Sequence, residues 1–310
     1  MSVRGNVFNR VSLLKARYAQ RTAYTAGVAA IMAQRAARPS FRYLWDAEVS
    51  VYSQFGEDGI LDLLCDRLGL HKPRAVEFGV GNFLECNTRF LAEYRGASVL
   101  AVDARPDLAS TVAHLPVRWR SHLEVRQGWV TPETAPRLLD DARSRFGGVD
   151  LVSLDIDGND YWVARELDLH DVTLVTVEYN SILSRTRAVT VPRDDAFDRT
   201  KAHFSWLYFG ASLHAFGDLL GQRGFALVGV NRVAHNAFFV RKHRVADVGL
   251  PPVTEDDYPA FTDWRLRESR DERGKLSYAS GAERVALIAG LPLVDVVSGE
   301  SLDVNTANLT

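Results

Sequence analysis

The sequence predicts an α/β protein with a mostly parallel seven-stranded sheet, helices on both faces and an antiparallel hairpin at one edge. Three observations carry this. From Ser53 onward helical and strand signals alternate, the rhythm of βα units stacked into a parallel sheet. The last two strands are linked only by Asn231 to Asn236, with no room for a crossover helix, so they must run antiparallel. Beyond about Val245 the alternation stops.

Short strand signals within this alternation place the strands at Ala75 to Phe78, Ser98 to Val102, Leu123 to Gln127, Leu151 to Asp155, Leu174 to Glu178, Phe225 to Val230 and Ala237 to Arg241. Ahead of them, the first 45 residues carry about eight basic side chains, from Arg4 to Arg42, and no acidic one. This N-terminal arm, residues 1–50, reads as one or two amphipathic helices. They would pack on the domain, pair with a second subunit in a homo-oligomer, or touch an anionic surface. Residues 51–244 form the α/β domain. The remainder, 245–310, is an appended segment rich in Pro, Asp, Glu and Arg, including the run Arg265 to Arg273. Within it, Ala282 to Val297 has the periodicity to dock back as a helix followed by an extended piece.

Composition narrows the class. With 310 residues, 46% hydrophobic, 25% charged and a net charge of -2, the chain has the profile of a globular domain with additions, and nothing global calls for a nucleic-acid partner. Cys65 and Cys86 are too few for a disulfide framework and lack zinc-site spacing, which fits a reducing, cytoplasmic setting. The longest apolar stretch, Ala26 to Ala33, is too short to span a bilayer and a poor match to a secretory signal.

The stretch Ala75-Val-Glu-Phe-Gly-Val-Gly-Asn-Phe-Leu sets Glu77, Phe78, Gly79 and Gly81 at the end of a buried strand, where a tight turn must open before a helix. Glycine lets the backbone approach a ligand, and Glu77 suits a cationic group such as the amino group of a methionyl moiety. A dinucleotide fingerprint needs a third glycine, and Leu84 stands in its place. Asp103, followed by Ala104, ends the next strand, where a carboxylate accepts from both ribose hydroxyls. A third strand ends at Gln127-Gly128-Trp129, a wall for an adenine ring, though Trp129 reads equally as core. Strand, glycine turn, helix, strand and acid, with five βα units and a closing hairpin, suggest the Rossmann-like class I methyltransferase architecture and S-adenosylmethionine as cofactor.

Three segments, Ser53-Gln-Phe-Gly-Glu-Asp-Gly-Ile-Leu, Val76-Glu-Phe-Gly-Val-Gly and Leu154-Asp-Ile-Asp-Gly-Asn-Asp-Tyr-Trp, together resemble an FkbM-like methyltransferase domain over about Tyr52 to Val240. The resemblance adds Gln54 and Asn87, the latter in a stretch similar to that family's S-N-T signature, to the cofactor-binding set. Asp157 and Asp160 stand where the commoner FkbM pattern has glutamates. The Asp-x-Asp-x-x-x-Tyr spacing is similar to macrocin-type sugar O-methyltransferases, which use magnesium. Both relatives imply a hydroxyl acceptor on a saccharide or secondary metabolite.

Ligands of a doubly wound sheet sit at the carboxyl ends of its strands, where Asp155, Asp157, Glu178 and Asn180 fall. Two readings stay open. These oxygens hold Mg²⁺, which favours the deprotonated acceptor hydroxyl, with Asp155 touching cofactor and reacting centre alike. Alternatively Asp155 and Asp157 bond backbone in the Asp-Gly turn and Glu178 pairs with an arginine such as Arg185. Without a metal the base is a histidine, His203 or His235 ahead of His214. The insert Ser181 to Gly217, with Arg185, Arg187, Arg193, Arg199, Lys201 and the aromatics Phe204, Trp206, Tyr208 and Phe209, reads either as an acceptor lid or as a helix at Tyr208 to Gly221 with the aromatics as its core and the arginines solvated. Competing classes are a metal-independent N- or C-methyltransferase and a non-catalytic nucleotide-binding assembly protein.

Overall fold

The computed structural model describes residues 21–22, 24–37, 41–257 and 268–308. The arm before residue 21 and Arg265 to Arg267 of the basic run lie outside the described residues.

The expected α/β architecture is the one observed. Seven strands, β1 (Arg74–Phe78), β2 (Ser98–Asp103), β3 (Leu123–Gln127), β4 (Leu151–Leu154), β5 (Leu174–Glu178), β7 (Phe225–Val230) and β8 (Asn236–Arg241), form one sheet in the order β3-β2-β1-β4-β5-β8-β7. The first five run parallel and the β7–β8 hairpin closes the edge antiparallel, β8 pairing with β5 through Leu174 opposite Val240. Strand bounds differ from the sequence-based ones by a residue at most, as at Asp155, which lies just past β4.

Successive side chains of each strand alternate between two cores. Val76, Phe78, Leu100 and Val102 pack beneath α4 (Ala135–Phe146), α5 (Asp160–Glu166) and α7 (Leu213–Gln222). Ala75, Val99 and Ala101 pack on the opposite face with α2 (Glu57–Arg67) and α3 (Leu108–Ala113). The amphipathic helix α4 buries Ala135, Leu139 and Ala142 and stops at Gly147, whose φ of 74° is the left-handed cap glycine allows. Residues 24–37 are helical and dock on the domain, Ile31 meeting Tyr52 and Phe90 while Arg35 reaches Asp62 at 2.6 Å. No helix among the described residues is long and apolar enough to cross a membrane.

A second sheet lies outside the sequence-based expectation. β6 (Val189–Thr190) from the insert pairs with β9 (Pro292–Asp295), which pairs with β10 (Ser301–Asp303), all antiparallel. The C-terminal segment thus docks as a helix (Ala282–Leu287) and strand, and its final helix (Val304–Asn308) latches the insert: Asn308 Nδ2 donates to Leu183 O, and Ser184 Oγ to Ala307 O. A small core of Ile182, Leu183, Val189, Val191, Leu207 and Ile288 fills the space between. The helix expected from Tyr208 begins only at Leu213, because Ser212 caps it, its Oγ accepting from Ala215 N. Tyr208 and Phe209 are buried ahead of it in irregular chain.

Candidate active site

In the central strands β1, β4 and β5 the buried polar side chains lie at or beyond mid-strand, at Glu77, Ser153, Thr176 and Glu178. At the carboxyl ends of the strands a cavity of about 680 Å³ opens, lined among others by Gln54, Gly79, Gly81, Asp103, Trp129, Asp155, Glu178, Arg199 and His235.

Its first end is made of turns. Gly79 has φ 93°, and a Cβ on it would fall 1.5 Å from the carbonyl oxygen of Asp155, so only glycine allows the β1 turn to lie against the β4 turn. The Gly79 amide donates to Val102 O at 2.8 Å. The Gly81 amide donates to Asp103 Oδ2 at 2.7 Å, while Asp103 Oδ1 accepts from Arg105 N at 2.8 Å. A carboxylate has about four lone-pair sites, so both oxygens retain accepting capacity toward the cavity. Burial raises the Asp103 pKa despite those two amides. Ala104, Gly128 and the largely exposed Trp129 complete this wall.

Four residues of the expected cofactor set lie off the cavity wall. Glu77 turns its carboxylate onto the Asn87 and Thr88 amides, each at 2.8 Å, and the Thr88 hydroxyl at 2.5 Å, an anchor for the chain after the glycine turn rather than a ligand for an amino group. Burial nonetheless raises its pKa. Asn87 Nδ2 donates to Ser153 Oγ at 3.1 Å. Phe78 is fully buried core, and Gln127 is exposed at the end of β3.

The other end is made of side chains. Asp155 follows β4, Glu178 ends β5 and His235 precedes β8; each offers a ligand atom, all within 4.8 Å of one another. His235 Nε2 lies 2.8 Å from Glu178 Oε1. Glu178 Oε2 is buried with no hydrogen-bond partner among the described residues. Burial, reinforced by Glu178 and Asp157, pushes Asp155 well above the carboxylate range, and burial with Asp157 and Asp160 does the same for Glu178. Burial also lowers the His235 pKa, so its imidazole is neutral near pH 7.

The insert delivers a cation here. Arg199 Nη1 bonds Asp157 Oδ1 at 2.5 Å and lies 4.0 Å from Glu178 Oε1; its Nε donates to Trp206 O at 2.6 Å, and its guanidinium lies 4.0 Å from the Phe209 ring centre. The arginine beside Glu178 is therefore Arg199; the Arg185 carbonyl instead accepts from His214 Nε2 at 2.6 Å. Backbone capping of the Asp-Gly turn falls to Asp160, which accepts from Ile156 N and Gly158 N and is raised to about 6 by burial. Asn180 is turned away, its Nδ2 donating to Leu207 O and Phe209 O. His203 is off the cavity wall, its Nδ1 2.8 Å from Ser205 Oγ, with burial lowering its pKa.

Sequence reasoning passed over the frame behind His235. Glu57 Oε1 accepts from Asn231 Nδ2 at 2.7 Å and Asn236 Nδ2 at 3.0 Å, while Asn231 Oδ1 accepts from His235 N at 2.9 Å. The neighbouring Asp58 Oδ2 gathers the amides of Val51, Tyr52 and Ser53. The acid pair of the Ser53 motif thus holds the chain that presents Gln54 and Phe55 to the cavity, with Phe55 edge-on to His235 at 5.8 Å. The motif was visible in the sequence; the partners of Glu57, 174 and 179 residues away, were not.

The residues do not fit the Mg²⁺ expectation. Of its four expected ligands, Asn180 bonds carbonyls, Asp157 is held by Arg199, and the third member of the converging trio is an imidazole. Mg²⁺ favours oxygen ligands in near-ideal octahedra.

No protein-family model matches the chain, and no curated protein sequence matches it. Solved structures that are similar to it in part include cofactor-bound Rv0187 from MTB (18% identity, 70% of this chain and 90% of that one, TM-score 0.38). A SAM-dependent methyltransferase from Aquifex aeolicus (12%, 60% and 90%, 0.35) and Aeropyrum pernix fibrillarin with natively bound S-adenosyl-L-methionine (16%, 55% and 67%, 0.34) are others. At TM-scores below 0.5 these likenesses are too loose to carry an activity to this chain.

Proposed function

We propose that the chain is an S-adenosylmethionine-dependent methyltransferase acting on a hydroxyl of a small molecule, a saccharide or secondary metabolite, with residues 51–244 as its transferase unit. One observation carries this reading: Asp103, braced by the Gly81 and Arg105 amides, and Glu178, held at 2.8 Å by His235, line the same cavity. A ribose-binding acid and a proton acceptor sharing one cavity are what methyl transfer to oxygen requires.

In this reading Asp103 accepts from the ribose hydroxyls, the Gly79 to Gly81 turn lets the backbone approach the methionyl portion, and Gly128 and Trp129 flank the adenine. The sulfonium supplies the methyl group. His235 donates its Nε2 proton to Glu178 Oε1, which sets the tautomer and orients both groups. In its ionised form Glu178, which burial makes a stronger base than an exposed carboxylate, takes the hydroxyl proton as the C–O bond forms and the C–S bond breaks, leaving S-adenosylhomocysteine and a methyl ether. Asp155 stands beside it as a second oxygen for the acceptor.

Charge narrows the acceptor. Four cations of the insert are committed to acids: Arg187 to Asp295, Arg193 to Glu133 and Asp195, Arg199 to Asp157 and Lys201 to Asp198. This favours a neutral or cationic acceptor over a phosphate or carboxylate.

Calorimetric titration with S-adenosylhomocysteine and, separately, with nicotinamide adenine dinucleotide tests the reading. Saturable binding of the first alone is expected; no heat from the first sinks it.

A further inference from the structure

The acidic centre looks at first like a metal site, since Asp155, Glu178 and His235 converge. What stands next to them argues otherwise. An ion ligated by Glu178 Oε1 at about 2.1 Å would lie no more than about 6 Å from Arg199 Nη1, which is 4.0 Å from that oxygen. A fixed positive charge at that range repels a dication.

The guanidinium is tied down on every side for which the structure shows a partner. Its Nε is bonded to Trp206 O, its face lies over Phe209, and Nη1 is bonded to Asp157 Oδ1. Asp157 is itself set in a left-handed conformation, φ 58°, which Asp tolerates better than most residues. Retreat would strip the salt bridge from Asp157 and withdraw the cation from beside the buried Glu178. Arg199 also comes from the insert, on a turn whose first residue, Asp198, caps it by accepting from Thr200 N.

We infer that Arg199 is the resident cation of this centre, supplying the charge compensation a divalent ion would otherwise bring, and that the centre rejects divalent metal while the guanidinium is in place. Its catalytic consequence, methyl transfer without a divalent ion, rests on the methyltransferase reading above; the metal rejection does not.

The test is Mn²⁺ binding, read by the loss of the free-ion electron paramagnetic resonance signal, in native protein, Arg199→Gln and Arg199→Lys. Native protein and the lysine variant should hold Mn²⁺ no tighter than millimolar, and the glutamine variant at least about tenfold tighter than native. S-adenosylhomocysteine titration and a thermal melt on the same samples report the cofactor end and folding separately, so loss of the methyltransferase reading is distinguishable from loss of this one. Micromolar Mn²⁺ binding by native protein, or equal affinity in native and glutamine variants that both melt cooperatively, overturns the inference. Should the glutamine variant not fold, Arg199→Met under the same assay takes its place with the same two outcomes.

Discussion

The two ends of the cavity are built by different means. Around Asp103 the groups come from turns at the tips of β1, β2 and β3, and their geometry is set by backbone: a glycine at φ 93°, two amides on one carboxylate. Around Glu178 the geometry is set by side chains drawn from β5, the β7–β8 hairpin and the insert, with Asp157 and Arg199 42 residues apart. A backbone-built end follows once the sheet forms. A side-chain-built end needs long-range elements to settle first, and so can change chemistry without changing fold.

The strongest way to break this contrast is Gly79→Ala, because Gly79 is where the ends touch. A Cβ at 1.5 Å from Asp155 O cannot be relieved by a side-chain rotation. A loss of about 4 kcal/mol in urea unfolding, with loss of S-adenosylhomocysteine binding, is expected; a stable variant that binds normally would show that the turn is not rigid. Next, Asp103→Ala should weaken S-adenosylhomocysteine by roughly 2 kcal/mol, a charged hydrogen-bonding site lost. Glu178→Gln should leave that affinity nearly unchanged, and equal losses in calorimetry would dissolve the distinction.

A pH effect belongs to Asp58, which holds the chain that brings Gln54 and Phe55 to the cavity. Burial raises Asp58 to about 7, above the ordinary Asp value of about 3.9. A carboxyl whose folded pKa is raised contributes stability that is complete below the unfolded value and is lost as pH rises through the folded one. Native protein should therefore lose more stability than Asp58→Asn between pH 4 and 7, by a few degrees in melting temperature. Parallel curves would remove Asp58 from the account. The smallest effect is expected of His203→Ala, whose ring faces Ser205 rather than the cavity: less than a twofold change in S-adenosylhomocysteine affinity by calorimetry.

Most of the main sheet was legible because a strand buried on both faces is a short apolar run between turn residues, as β2, β4 and β5 show, while the edge strand β3, Leu-Glu-Val-Arg-Gln, alternates apolar and polar residues instead. The second sheet was not. β6 has two residues and its partner β9 lies about a hundred positions on, so no local period marks it. The same reason divides the site. Asp103 and the glycines fall at strand tips whose position dictates their surroundings. Sequence could place Glu77 at a strand end but not decide that Asn87 and Thr88 would claim its oxygens. It could name Arg199 within the insert but not choose Asp157 as its partner over Glu178, since such a choice is made only when the insert folds back.

The pairing of β6 with β9 also fixes an order of events during synthesis. Chains emerge amino end first, and the strands around Asp103 have all their neighbours by the time residue 241 has appeared. The insert must wait for residues 292–308 to supply its sheet and latch. A growing chain can therefore complete the Asp103 end of the cavity before the end that Arg199 closes.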